Sequence, residues 1–106
     1  MIALILEEHN QLTEAITNIV RPRDMDSLLK LLASHTIDEE RVMLEVKYNK
    51  YLEHRKAHIQ LIDTLKDVSL AINTEELRYI VGQHIIEHIN TYDIEFLNTL
   101  EVINDK

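Results

Sequence analysis

Four stretches of this chain carry apolar residues at every third or fourth position. The first stretch, residues 2–20, has Ile5, His9, Leu12, Ile16 and Ile19 at that spacing. The others run through Leu28, Leu31 or Leu32, His35, Glu39, Val42 and Val46; Tyr51, His54, His58, Leu61, Leu65 and Val68; and Leu77, Val81, His84, His88, Tyr92 and Phe96. This is the period of one face of an α-helix, so the pattern predicts four helices.

The breaks between these stretches are short. Pro22 ends the first helix, because proline disfavours α-helical geometry in the residue before it. A weaker break falls at residues 47–50. Residues 72–74 form the last connector, in which Asn73 and Glu76 are spaced like a capping-box pair. Short connectors place consecutive helices antiparallel, so the sequence predicts an all-α, up-down-up-down four-helix bundle.

Composition narrows the class of protein. The 106 residues are enough for one domain, and a single Gly and a single Pro leave little material for β-turns. The absence of Cys excludes disulfides and thiolate metal sites. A net charge of -8 argues against nucleic acid as a partner. We find neither a membrane span nor an export signal in the sequence, and therefore expect a cytoplasmic protein without a membrane partner.

Seven residues on or beside the apolar stripes are potential metal ligands: His9, His35, Glu39, His54, His58, His88 and Asp93. A lone histidine on such a face is more often a hydrogen-bonded core residue. Burying this whole set uncompensated would cost several kcal/mol per charged group, whereas metal ions would use the lone pairs. Imidazole and carboxylate suit iron, manganese or zinc. Two carboxylates able to bridge imply two ions close together.

One pair in this set does not fit a regular helix. His88 and Asp93 are five residues apart, which separates them by about 140° at 3.6 residues per turn. Both can face one site only where the helix widens. We therefore predict a π-bulge between them, a feature that is frequent at functional sites.

The ligand positions resemble those of the hemerythrin family, whose pattern is a lone His, then HxxxE, HxxxH and HxxxxD, one element per helix. All seven positions are filled in order, and Glu40, Met43, Tyr48 and Ile89 match neighbouring positions. The resemblance covers nearly the whole chain. It implies a single hemerythrin-like domain over residues 1–106, with a diiron site in the core of the bundle.

The resemblance also implies roles for the ligands and for the metal. The cofactor would be two Fe ions joined by an oxo or hydroxo bridge. One iron would be held by His54, His58 and His88, the other by His9 and His35 with one position open, and Glu39 and Asp93 would bridge them. O2 would bind at the open iron, in a pocket assigned to Leu12, Thr36, His84, Ile85 and Ile89.

Two residues of this pocket depart from the family. A Trp usually stands where this chain has His84, and a Phe usually stands where it has Thr36. Both replacements are smaller and polar. We therefore expect a wetter pocket, in which His84 contacts the bound ligand or the open iron, and faster autoxidation. The alternative is a surface histidine without a chemical role.

Three functions remain open from the sequence. The first is an O2-binding protein for oxygen storage or transport, which is not an enzyme. The second is a module that senses O2, NO, redox state or iron. The third is a diiron peroxidase or oxidase-like stress protein, which the polar pocket would favour. O2 is the expected ligand, with NO or peroxide as alternatives, and the sequence indicates neither a protein partner nor an oligomeric state.

Overall fold

The structure, a computed structural model, describes residues 2–19, 24–68 and 73–104, and within these ranges it contains helices and no strand. The helices are α1 (Ile2–Thr17), α2 (Asp24–Glu45), α3 (Tyr51–Lys66), α4 (Thr74–His88) and α5 (Ile94–Asn104), and a π-helical segment, Ile89–Asp93, joins the last two. Because α4, the π-helical segment and α5 are continuous, the described chain forms four helices. The all-helical prediction is confirmed, and the arrangement is compatible with a four-helix bundle.

The ends of the helices follow local chemistry. Helix α1 already ends at Thr17, and the predicted break at Pro22 lies outside the described residues. At the start of α4, the side chain of Asn73 accepts a hydrogen bond of 2.9 Å from the backbone N–H of Glu76. This bond satisfies one of the free N–H groups of the first turn and is the first half of the predicted capping-box pair.

Helix α2 ends in a tight reversal at Lys47. Its φ of 57° lies in the left-handed region, which is unusual for a residue with a side chain. The N–H of Lys47 donates to Leu44 O (3.2 Å) and that of Tyr48 to Met43 O (2.9 Å). These are the two bonds of a Schellman motif. The reversal turns the Tyr48 side chain into the core beside Met43.

The core consists of two separate clusters. The larger, here the aliphatic cluster, contains Leu12, Ile19, Met25, Leu28, Leu32, Leu61, Leu65, Leu77, Val81 and Ile85. The smaller, here the mixed cluster, contains Ile5, Val42, Met43, Tyr48, Phe96, Leu97 and Leu100. Each fully buried large side chain contributes about 1.5–3 kcal/mol. The seven potential ligands belong to neither cluster, and on every helix they stand between residues of the two.

None of the described helices combines the length and the apolar character that crossing a lipid bilayer requires.

Candidate metal centre

All seven potential ligands lie together in one buried layer, and none is more than 9% exposed. Helix α1 contributes His9, α2 contributes His35 and Glu39, α3 contributes His54 and His58, and the last helix contributes His88 and Asp93. Their ligand atoms form two groups: one contains Glu39, His54, His58, His88 and Asp93, and the other contains His9, His35, Glu39 and Asp93. Both carboxylates belong to both groups.

Glu39 divides its two oxygens between these groups. Its Oε1 lies 2.6 Å from His54 Nε2 and 3.1 Å from His58 Nε2. Its Oε2 lies 3.3 Å from His35 Nε2 and 3.9 Å from His9 Nε2. One carboxylate therefore faces imidazoles from three helices.

Asp93 repeats this division. Its Oδ1 lies 2.8 Å from His54 Nε2 and 3.0 Å from His88 Nε2. Its Oδ2 lies 2.9 Å from His9 Nε2 and 3.3 Å from His35 Nε2. The layer thus has a three-histidine side (His54, His58 and His88) and a two-histidine side (His9 and His35). Each carboxylate presents one oxygen to each side.

The π-helical segment explains how Asp93 reaches this layer. It spans Ile89–Asp93, the interval that follows His88, as the spacing predicted. The π turn accommodates one more residue than an α turn, which brings Asp93 onto the same face as His88. Asp93 is completely buried and contacts His88 directly. The predicted π-bulge is therefore confirmed.

The contacts suit metal ions better than hydrogen bonds alone. Two ligand atoms about 2.1 Å from one ion are about 3.4 Å apart at a tetrahedral angle and about 3.0 Å apart at the right angle of an octahedral site. The imidazole–carboxylate distances cluster around these values. Two buried atoms, Glu39 Oε2 and His88 Nε2, have no hydrogen-bond partner in the described part of the chain. His88 Nε2 lies close to Asp93 without hydrogen-bond alignment, so its lone pair is free for an ion.

Two outer carboxylates orient two of the imidazoles. His35 Nδ1 donates to Glu8 Oε1 at 3.2 Å, and His58 Nδ1 donates to Glu40 Oε2 at 3.0 Å. Such bonds place the proton on Nδ1 and leave Nε2 as the metal ligand. Sequence reasoning assigned neither glutamate this role. A signal existed for Glu8, which lies on the apolar stripe of α1 four residues before Leu12.

Without metal, the layer is a network of buried ion pairs. Burial opposes the charged imidazoles, but hydrogen bonds to Asp93 and Glu39 outweigh it and raise the pKa of His35 to about 10 and that of His54 to about 9. Burial likewise opposes the charged form of Glu39, yet its close contacts with His35, His54 and His58 lower its pKa to about 2. The pKa of Asp93 is lowered for the same reason.

Four residues assigned to the O2 pocket lie in the interior or pack against it, and the predicted wet pocket stays a prediction. Leu12 and Ile85 are buried in the aliphatic cluster, and Ile89 packs against it. Thr36 is also buried, but its hydroxyl donates to the backbone O of Ala33 at 2.8 Å. That bond satisfies the hydroxyl within its own helix, so Thr36 adds little free polarity to the site.

His84 lies at the surface beside the site. Its side chain is exposed and lines a groove of about 330 Å³ beside Leu61, Glu87 and His88. Four residues advance an ideal helix by about 40° beyond a full turn, which moves His84 from the direction of His88 toward solvent. The predicted contact of His84 with a bound ligand or with the open iron stays a prediction. The alternative interpretation, a surface histidine, matches its position.

Comparison with known proteins agrees with this geometry. The chain is 26% identical to a myohemerythrin of Sipunculus nudus over 92% of its own length and 83% of that protein. It is also 26% identical to a myohemerythrin of Theromyzon tessulatum and 25% identical to a hemerythrin of Sipunculus nudus, each over 89% of the chain and 81% of the relative. No family model and no solved structure matches the chain. These similarities over most of the chain support its membership of the hemerythrin family.

Proposed function

We propose that this chain holds a pair of iron ions in its buried layer and binds O2, as an oxygen-binding, storage or transport protein. The observation that carries the proposal is the division of Glu39 and Asp93, each of which directs one oxygen to the three-histidine side and the other to the two-histidine side. Two shared carboxylates between two sets of imidazoles are the arrangement that a pair of ions requires. Histidine and carboxylate ligands suit iron, which the hemerythrin resemblance also favours.

The proposal includes an antiparallel bundle, and the order of the clusters along the chain supports it. In α1, Ile5 of the mixed cluster precedes His9, and Leu12 of the aliphatic cluster follows it. In α2 the order is reversed, from Leu32 through His35 to Val42. The last two helices alternate in the same way. Each helix would therefore run opposite to the one before it.

Different residues would bind the metal ions, orient the imidazoles and leave one coordination position open. The five imidazoles bind through Nε2, and the outer carboxylates of Glu8 and Glu40 hold the rings of His35 and His58 in orientation. The iron pair, when bound, supplies the electrons and the coordination position that O2 binding needs. The two-histidine side has fewer protein ligands, so the open position belongs there.

The neighbouring core favours reversible O2 binding over an enzymatic reaction. Leu12, three residues after His9, and Ile85, three residues before His88, are each only 1% exposed. An apolar surrounding keeps water away from charge that develops at the site. Because the Thr36 hydroxyl donates within its own helix, it gives little support to the oxidase and peroxidase alternatives, which now depend on His84. Sensing by the same site and a cytoplasmic location remain predictions.

Two measurements test the proposal. Metal analysis after anaerobic loading with Fe²⁺ should find two irons per chain, and a ratio far below two would overturn the diiron assignment. The reduced protein, mixed with O2 in a stopped-flow spectrometer, should develop an absorption band that disappears when O2 is removed. Immediate conversion to a stable oxidised spectrum would instead indicate an oxidase. The variant Glu39→Ala, which lacks a shared ligand, serves as the control.

A further inference from the structure

A small cavity adjoins the three-histidine side of the metal layer, on the side opposite the aliphatic cluster. It has a volume of about 60 Å³, and its lining includes His54, Tyr48 and Tyr92 toward the interior, with Thr91, Lys50 and Glu95 toward the surface. It is distinct from the groove beside His84. The cavity therefore connects one potential metal ligand with a polar surface region.

His54 differs from His35 and His58 in the surroundings of its Nδ1 atom. Its Nε2 faces Glu39 and Asp93, at 2.6 and 2.8 Å. Its Nδ1 is buried and has no hydrogen-bond partner in the described part of the chain. The Nδ1 atoms of His35 and His58, in contrast, each donate to a glutamate. A metal-bound imidazole normally donates its second N–H, and a buried donor without a partner costs about 1–3 kcal/mol.

The cavity can supply the missing partner. A water molecule occupies about 30 Å³ in the liquid and needs two to four polar neighbours, so there is space for one or two. The lining offers such neighbours, since Tyr48 and Tyr92 lie inside and Lys50 is paired with Glu95 at the mouth. An apolar occupant of this volume would leave His54 Nδ1 unsatisfied.

We propose that this cavity is a water site, in which bound water accepts a hydrogen bond from His54 Nδ1 and connects that imidazole to the Lys50–Glu95 pair at the surface. The inference rests on the proposed metal function, because a metal ion on Nε2 fixes the proton on Nδ1. The connection gives the three-histidine side an exchange route for protons with solvent. The Nδ1 protons of His35 and His58 are instead held by glutamates, so their exchange requires these hydrogen bonds to break.

Solvent exchange of the imidazole protons tests this proposal. Zn²⁺ is a diamagnetic probe, so NMR of ¹⁵N-histidine protein loaded with Zn²⁺ resolves the Nδ1–H signals separately. We expect the His54 proton to exchange with water at least tenfold faster than those of His35 and His58. Equal or slower exchange at His54 would overturn the water site. Failure to bind Zn²⁺ is detected separately by metal analysis and would count against the metal site itself.

A pair of variants locates the route. Glu95→Leu removes the ion pair and closes the mouth with an apolar side chain, so His54 exchange should slow about tenfold. Glu101→Leu makes the same change on the exposed surface of α5, outside the cavity, and should leave exchange unchanged. Equal effects of both variants would show that the route does not pass the Lys50–Glu95 pair. A high-resolution crystal structure of the Zn²⁺-loaded protein should show a water about 2.7–3.2 Å from His54 Nδ1, and an empty cavity would refute the proposal.

Discussion

The two sides of the metal layer share both carboxylates but differ in their imidazoles and in their surroundings. The two-histidine side takes one ligand each from α1 and α2. The three-histidine side takes an (i, i+4) pair from α3 and a third histidine from the last helix. The three-histidine side also borders the water-sized cavity beside His54. The comparison teaches that one buried layer can present two unequal sets of imidazoles, because both carboxylates direct one oxygen to each side.

Removal of a shared carboxylate should abolish metal binding on both sides of the layer. Glu39→Ala takes one oxygen from each side, so we expect the metal content to fall from two ions per chain to nearly none. Metal analysis after anaerobic loading checks this. Glu45→Ala, an exposed position on the same helix, should keep the full content. Retention of one firmly bound ion in Glu39→Ala would show that the two sides do not depend on this carboxylate equally.

The stability of the metal-free protein should depend on pH in the same way through both sides of the layer. His35 and His54, one on each side, have pKa values raised from 6.5 to about 10 and about 9. Their contribution to stability is complete below pH 6.5 and is lost as the pH rises toward 10. The lowered pKa of Glu39, from 4.5 to about 2, acts oppositely and costs stability as the pH falls below 4.5.

The metal-free protein should therefore be most stable between about pH 4.5 and 6.5. Thermal unfolding across pH 3–10 measures this, and the metal-loaded protein is the control. Because protons compete with metal ions for the imidazoles, loading should stabilise the protein more at pH 8 than at pH 5. A metal-free melting temperature that rises from pH 6.5 to 9 would contradict the ion-pair network.

The outer glutamates allow each side to be weakened separately. Glu8→Gln acts on His35 of the two-histidine side, and Glu40→Gln acts on His58 of the three-histidine side. Loss of such an outer partner typically lowers metal affinity 10- to 100-fold. Titration with Zn²⁺ in competition with a chelator should show one weakened ion in each variant. Weakening of both ions by either variant would mean that the sides are not independent.

The smallest change is expected for a variant outside the ligand layer, at the end of α2. Lys47→Gly relieves the left-handed backbone at the end of α2 and should stabilise the protein by about 1 kcal/mol. Urea unfolding of the metal-loaded protein measures it, and metal content should not change. Lys56→Gly, an exposed position inside α3, should instead destabilise by about 1 kcal/mol. Similar effects of both variants would rule out strain at Lys47.

Sequence predicted the parts of this protein that follow from periodicity. The (i, i+4) spacing of His54 and His58 places both on one face of any α-helix, and the spacing of five from His88 to Asp93 required the π turn that the structure contains. The same arguments were insufficient for Thr36 and His84. Their roles depend on where a hydroxyl donates and on a rotation of about 40°, which hydrophobic periodicity does not resolve.

The sequence by itself determined the helices, the seven potential ligands and the widening of the last helix, because all of these depend on local spacing along one chain. Only the tertiary structure decided how the ligands are shared. Contacts between helices divide Glu39 and Asp93 between two sets of imidazoles and bring Glu8 to His35. The packing of the helices also leaves His54 Nδ1 without a hydrogen-bond partner in the described part of the chain. Such contacts depend on side-chain rotamers and on the separation of packed helices, which no single helix specifies.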